Sequence, residues 1–307
     1  MEIIDQSKAR NISPCVATVG FFDGVHAGHR FLIEELKGIA KLQNLKSMVV
    51  TFAVHPRKVL NTDFQPELLT TLPEKLRQLE STGIDGCIVL NFTIDMAKLS
   101  AYDFLKTVLK EQFNVHTLLV GHDHRFGHNR EEGYPDYKKY CEELGMDVFK
   151  ATEFKTDEDK NISSSEIRAA LKKGDVELAN RLLTYPFSIQ GSVVEGFKNG
   201  RGIGFPTANI DIQDPDKLIP AIGVYAVRVE WNNLQLKGMM NIGNRPTLEN
   251  GQNISLEVHI LDFDEDIYHQ FLKIEFIHKI REEQKFNGIE ELKNQLQKDK
   301  LAVMAIL

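Results

Sequence analysis

The chain has 307 residues, 42% hydrophobic and 26% charged, with a formal net charge of −7. That length allows two domains, each with its own core, while the acidic balance excludes the broad basic face of a nucleic-acid-binding protein. No apolar run approaches the roughly 18–20 residues of a membrane span, residues 1–6 lack the regions of a secretory leader, and Cys15, Cys87 and Cys141 form no CxxC pair, so a cytoplasmic protein without structural zinc or disulfides is expected.

In chain order, the first half alternates short β-branched or apolar runs with stretches of helical spacing. Segments 16–20, 47–52, 87–91, 117–121 and 147–150 are the expected strands. After His29, the residues Leu32, Leu36, Ile39 and Ala40 share one helical face. Ser100 and Asp103 form a capping box ahead of Phe104, Leu105 and Val108. This alternation predicts a parallel sheet with helices on both faces, whose ligands bind beyond the carboxyl ends of the strands. Residues 163–166 open another helix, closed by Lys172, Lys173 and Gly174, and Asp175 caps a second short one. Tyr185 and Pro186 end the helical pattern, which sets the expected domains at 1–184 and 185–307. From Phe187 the period changes: 188–194, 207–212, 224–231, 235–242, 254–261 and 272–279 read as strands separated by Gly and Asn. They predict a small antiparallel six-stranded barrel, with 289–307 as a helix packed on it.

Gly20-Phe-Phe-Asp-Gly-Val-His-Ala-Gly-His29 follows the first predicted strand. His26 and His29, three apart, share a face of a helical first turn, and the backbone N–H groups there make an anion site. Ser163, Ser164, Ser165 and Arg168 form a second helix start with hydroxyls and a guanidinium, suited to the β- and γ-phosphates of ATP. Adenylyl transfer needs such positioned donors more than covalent help from the protein. Taken alone, His-x-x-His is also a weak zinc signal or an ordinary surface pattern. Phe21 and Phe22 read equally as core, and His55, His116, His122 and His128 read as loop or surface histidines.

Gly200-Arg-Gly-Ile-Gly204 lacks the following helix and later acidic residue of a dinucleotide fingerprint, and Phe205-Pro206 would break a helix there. What remains is a glycine arch before Thr207 and Asn209, whose side chains share a face if they lie on a strand. A Thr hydroxyl and an Asn carbonyl can serve Mg²⁺ as oxygen ligands, with ATP phosphates and waters completing the shell; the alternative is a plain loop-to-strand transition. Phosphorylating an alcohol also calls for a carboxylate near the attacking hydroxyl. Glu257 lies inside a strand-like segment, where Glu is depleted; an outward, solvated Glu is the alternative.

The stretch 20–29 together with Ile162-Ser-Ser-Ser-Glu-Ile-Arg168 resembles the HxGH nucleotidyltransferases, specifically the FMN adenylyltransferase module of bacterial FAD synthetases. Segments 51–56 and 120–127 resemble further motifs of that module. The resemblance implies a Rossmann-like domain in which Gly20, Phe22 and Gly24 line the ATP site. It further implies that His26 and His29 stabilise the transition state at the α-phosphate, that Ser164 and Arg168 hold the pyrophosphate, and that Asp123, Arg125, Phe126 and Gly127 line the flavin end. Segments 191–194, 204–209, 223–226, 241–247 and 257–259 resemble riboflavin kinase. This second resemblance implies that Gly204, Thr207 and Asn209 organise Mg-ATP and that Glu257 is the general base on the ribityl 5′-hydroxyl. Arg281 and Phe286 would then belong to a segment closing near the flavin.

Three positions depart from the family patterns: His124 stands for an aromatic, Val54 for a proline and His269 for a glycine. The two resemblances imply an enzyme that converts riboflavin and ATP to FMN and ADP, then FMN and ATP to FAD and pyrophosphate, with Mg²⁺ serving both steps. Its expected partners are these small molecules and, at most, a weakly associated second copy. Two rivals are a different adenylyltransferase fused to an unrelated barrel, and a flavin-binding regulator without catalysis.

Overall fold

The computed structural model describes residues 1–5, 12–122, 125–128, 131–155, 162–196, 199–244 and 254–307. Asp123 and His124 lie outside the described residues, as do residues 245–247 of the kinase-like pattern. Contacts divide the chain into two compact units, Met1–Ser164 and Ser165–Leu307.

The first unit is a sheet of six strands: β1 (Glu2–Asp5), β2 (Cys15–Val19), β3 (Lys46–Phe52), β4 (Gly86–Leu90), β5 (Val115–Val120) and β6 (Asp147–Lys150). Their order is β1-β4-β3-β2-β5-β6, and every pairing is parallel. Five of these strands match the sequence reading. The sixth, β1, is four residues long and buries only Ile4, too short a run for its period to register.

The helices of this unit are α1 (Ala27–Gln43), α2 (Pro56–Leu60), α3 (Leu72–Glu80), α4 (Ile94–Ala97), α5 (Ala101–Asp103) and α6 (Tyr134–Leu144), with Phe104–Gln112 continuing α5 as a π-helix. All five residues of β2 are buried because helices cover both faces, as parallel sheets require. Val16 packs with Ile33, Leu36 and Ala40 of α1 and Leu79 of α3. Cys15, Ala17 and Val19 face the other way, against Phe104, Leu105, Tyr137 and Cys141. Ser100 Oγ accepts from the Asp103 N–H at 3.0 Å, so the expected cap forms; such caps contribute about 1 kcal/mol. The chain steps from β2 to β3 to β4 and then returns to β5 on the opposite side of β2. That reversal puts the topological switch point beyond the carboxyl ends of β2 and β5, where ligands of open α/β sheets bind.

In the second unit, α7 (Ser164–Lys173) and α8 (Val176–Leu183) precede the barrel. Gly174 takes φ 79 between them, and Asp175 Oδ1 accepts from the Leu178 N–H at 2.9 Å. The Ala221 N–H donates to the Leu171 carbonyl at 2.9 Å. Asn180 donates to the Phe276 carbonyl at 2.8 Å and accepts from the Phe187 N–H at 2.7 Å. These bonds fasten α7 to the segment before β9 and α8 to β12 and the approach to β7, so contacts group them with the barrel although the helical period ends near Tyr185.

Strands β7 (Ser188–Val194), β8 (Ala208–Asp211), β9 (Gly223–Trp231), β10 (Leu234–Asn244), β11 (Ile254–Ile260) and β12 (Phe271–Arg281) close in the order β10-β11-β8-β7-β12-β9. All six were expected from the sequence. Helix α9 (Ile289–Ile306) buries Val303 against Phe205, Ala226, Met239 and Leu261. Arg281 on β12 grips Asp299 of α9 with Nη2 at 2.7 Å and Nε at 3.0 Å, and Gln295 adds a bond to Asp299 at 2.8 Å.

Candidate active sites

The turn after β2 enters α1 through a strained path. Phe22 and Val25 take φ 56 and φ 38, and Gly24 takes φ 82. A β-branched residue at positive φ is a genuine outlier, and such strain persists only where surrounding bonds over-determine it. Here Asp23 supplies them: its buried carboxylate accepts from the Leu69 N–H at 3.1 Å, the Thr70 N–H at 3.0 Å and the Thr70 hydroxyl at 3.2 Å. The Gly24 N–H donates to Thr70 Oγ1 at 3.0 Å, and the Gly20 N–H to the Val50 carbonyl at 3.0 Å.

The turn delivers His26 to the N-cap of α1, and His29 lies in the first turn with its ring stacked 3.7 Å from that of His26. The first N–H groups of a helix have no intrahelical acceptor, and α1 has no acidic residue in its first turn. The buried His26, the His29 ring stacked on it and the start of α1 are thus brought together, and a helix N-terminus attracts anions. Ser164, at the start of α7, donates its hydroxyl to the Asp23 carbonyl at 2.9 Å, which joins the two sequence motifs. Arg168 follows one helical turn later on α7. The Phe22 ring is buried, 5.0 Å from the His29 ring, and packs in the core.

The second constellation is built by strand register. Glu257 on β11 pairs with Asn209 on β8 and with Asn241 on β10. Thr207 lies one residue before β8, and its hydroxyl donates to Glu257 Oε2 at 3.2 Å. A hydroxyl, an amide and a carboxylate thus converge from segments 50 residues apart in sequence. Gly196 passes directly over Asn209: a Cβ there would come 2.0 Å from Asn209 Nδ2 and displace that amide. Gly204 takes φ 83 in the turn before Thr207. His259, two residues beyond Glu257, bonds through Nδ1 to the Pro206 carbonyl at 2.7 Å, and burial pushes its pKa below the ordinary value. Beside Thr207 lies a pocket of about 510 Å³ lined by Val258, Ile260 and Phe263 together with the acidic run Asp264, Glu265 and Asp266.

The FAD synthetase family model matches residues 8–166, and the riboflavin kinase model matches 183–307. The chain is 41% identical to the bifunctional riboflavin kinase/FMN adenylyltransferase of Bacillus subtilis, over 93% of this chain and 90% of that protein. It belongs to the bifunctional riboflavin kinase/FMN adenylyltransferase family. The counterpart from Escherichia coli K12 is 40% identical over 94% and 91% of the two chains. A crystal structure described as a macrolide-efflux protein from Streptococcus pneumoniae superposes with a TM-score of 0.90 at 30% identity, covering 99% of both chains; that description is the other protein's, and the shared property is the fold. The N-terminal part is therefore an FMN adenylyltransferase and the C-terminal part a riboflavin kinase, in the expected order. The kinase match overturns the reading as another adenylyltransferase on an unrelated barrel, and the regulator reading gives way to an enzyme of two activities. Among the described residues, no helix is long and apolar enough to cross a membrane.

Within this bifunctional family, the expected flavin-side residues have varied placements. The half-buried Phe126 ring stacks on Tyr137 at 4.2 Å against the edge of the core, and its N–H donates to the Tyr137 hydroxyl at 3.0 Å. At Gly127, φ 91, a Cβ would come 2.7 Å from the Ala101 backbone. Arg125 is exposed. Arg281 is held by Asp299, with its guanidinium carbon 5.9 Å from the Phe286 ring centre. His269, where the resemblance implied a glycine, takes φ 63, a conformation that costs a non-glycine residue. Val54 is exposed.

The sequence reading missed Lys75, Thr70 and Asp299. Lys75 falls in the apolar spacing Leu72, Lys75, Leu76, Leu79, and Asp299 in the spacing Leu292, Leu296, Asp299, Val303. A charge inside an apolar stripe was the available signal for both.

Proposed function

We propose that Glu257 is the general base of the kinase half, with Thr207 and Asn209 as ligands of Mg²⁺ on ATP. The observation that carries this reading is the 3.2 Å bond between Thr207 and Glu257, with Asn209 opposite in register. The donors are hard oxygens, which suits Mg²⁺, an ion that takes few protein ligands and keeps waters and phosphate oxygens. When bound, the ion neutralises charge on the phosphates. Glu257 accepts the proton of the ribityl 5′-hydroxyl as that oxygen attacks the γ-phosphorus, whose bond to the bridging oxygen breaks to release ADP.

In the adenylyltransferase half, the FMN phosphate attacks the α-phosphorus of the second ATP and pyrophosphate leaves. His26, His29 and the N–H groups of α1 stabilise the charge that builds there, while Ser164 and Arg168 hold the departing pyrophosphate. By this chemistry the functional boundary falls at 184/185, because α7 carries Ser164 and Arg168. A cytoplasmic site of action, and at most weak self-association, go with this reading.

The test is a time course. The purified chain with riboflavin, ATP and Mg²⁺ forms FMN first and FAD second, and with a chelator it forms neither. FMN production in the absence of divalent ions would remove the Thr207–Asn209 metal assignment. FMN accumulating without FAD would remove the assignments at the first site.

A further inference from the structure

Lys75 of α3 is 2% exposed. Its Nζ donates to the Phe21 carbonyl at 3.1 Å and to the Phe52 carbonyl at 2.9 Å, and lies 4.1 Å from the centre of the Phe21 ring. Phe52 ends β3, and Phe21 lies in the turn that follows β2. One ammonium therefore joins the carboxyl ends of two adjacent strands at the mouth of the sheet. The Phe21 carbonyl also accepts from Thr51 Oγ1 at 3.0 Å. The next residue, Phe22, begins the left-handed turn at φ 56, so the orientation of the Phe21 peptide sets the path to His26 and His29.

We propose that Lys75 is a positioning residue for adenylyl transfer, fixing through the Phe21 carbonyl the turn that carries His26 and His29. The proposal rests on the N-terminal half acting as the adenylyltransferase.

Burial pulls the Lys75 ammonium down to about 8, opposed by the attraction of Asp23. A folded value below the unfolded one means that the protonated lysine disfavours folding below about 8, and that stability rises with pH between about 8 and the ordinary 10.5. The charged and titratable groups acting on Lys75 are Asp23 after β2 and Cys87 on β4; His55, before α2, packs its ring 4.6 Å from that of Phe21. Burial pushes the Cys87 thiol up to about 12, so it stays neutral across this range. A neutral amine keeps two N–H donors and loses the charge on the Phe21 ring and carbonyls.

The test uses the full chain with Lys75→Met, and the kinase rate reports on folding. Adenylylation kcat is expected to fall on the order of 10²-fold, the effect of misplacing a catalytic group by about 1 Å. The KM values for FMN and ATP are expected to stay within about threefold, with riboflavin phosphorylation and the thermal midpoint retained. Wild-type adenylylation kcat should decline as pH rises through about 8, and Lys75→Met should lose that limb. Unchanged adenylylation in Lys75→Met would overturn the proposal, as would an equal loss of both activities with the midpoint retained. If Lys75→Met fails to fold, Lys75→Arg keeps the charge and should retain adenylylation while shifting the alkaline limb upward; an unshifted limb would overturn the proposal. A wild-type chain that makes no FAD would sink the adenylyltransferase reading itself, an outcome separate from these.

Discussion

In the parallel-sheet half the proposed reactive groups sit on a turn beyond a strand, whereas in the barrel half they sit on or beside the strands themselves. His26 and His29 depend on a backbone with φ 56 at Phe22 and φ 38 at Val25, conformations that cost of order 1–3 kcal/mol each. Buried Asp23 and Lys75 hold that backbone through bonds to Leu69, Thr70, Phe21 and Phe52. Asn209 and Glu257 need no such strain, because the antiparallel ladder sets them opposite each other. The first site is thus open to damage through anchors that never meet a substrate. The second is open to loss of its own side chains or a slip of register, since a one-residue slip turns every side chain to the other face.

The sharpest test of this contrast is a pair of substitutions. Glu257→Ala should lower riboflavin phosphorylation by about 10²–10⁴-fold, the usual contribution of general acid–base catalysis, and leave adenylylation of supplied FMN intact. His29→Ala should do the reverse, lowering adenylylation by about 10²–10³-fold with the kinase rate unchanged. Chromatography of riboflavin, FMN and FAD reads both, and a substitution that lowered both activities together would break the comparison.

Next in size is the clamp on α9. Asp299→Ala leaves the Arg281 guanidinium, 18% exposed, without its 2.7 Å partner, and removing one member of a buried pair costs about 3–5 kcal/mol. Denaturant titration should show that loss in the barrel transition, followed by its own spectroscopic probe. A change below about 1 kcal/mol would mean that the pair behaves as a screened surface contact.

The smallest effect concerns pH. Burial holds the His259 pKa below its ordinary value of 6.5, so on acidification the unfolded chain takes up this proton before the folded one does. Its contribution to stability is present above about 6.5 and is lost as pH falls through the folded value. The thermal midpoint of the barrel should decline more steeply below pH 6.5 in the wild type than in His259→Asn. Identical slopes would remove His259 as the cause.

Much of the architecture is legible in local spacing. The change from helical to alternating period after Tyr185, the Ser100 and Asp175 caps and all six barrel strands are properties of contiguous residues, and the structure reproduces them. Motif order, read as a resemblance, also led to the right family. Local spacing was silent on β1, whose four residues carry no period, and on the stacking of Phe126 against Tyr137.

By itself, then, the sequence determined the two element patterns, their order and the residues available for chemistry. Only the tertiary structure decided that Thr207 bonds Glu257 and that Ser164 meets the Asp23 carbonyl. It also decided that Lys75 spends its charge on two carbonyls and that Arg281 is clamped by Asp299. The reason is physical: a period belongs to one stretch of chain, whereas register and the satisfaction of a buried charge depend on partners that arrive from far along it.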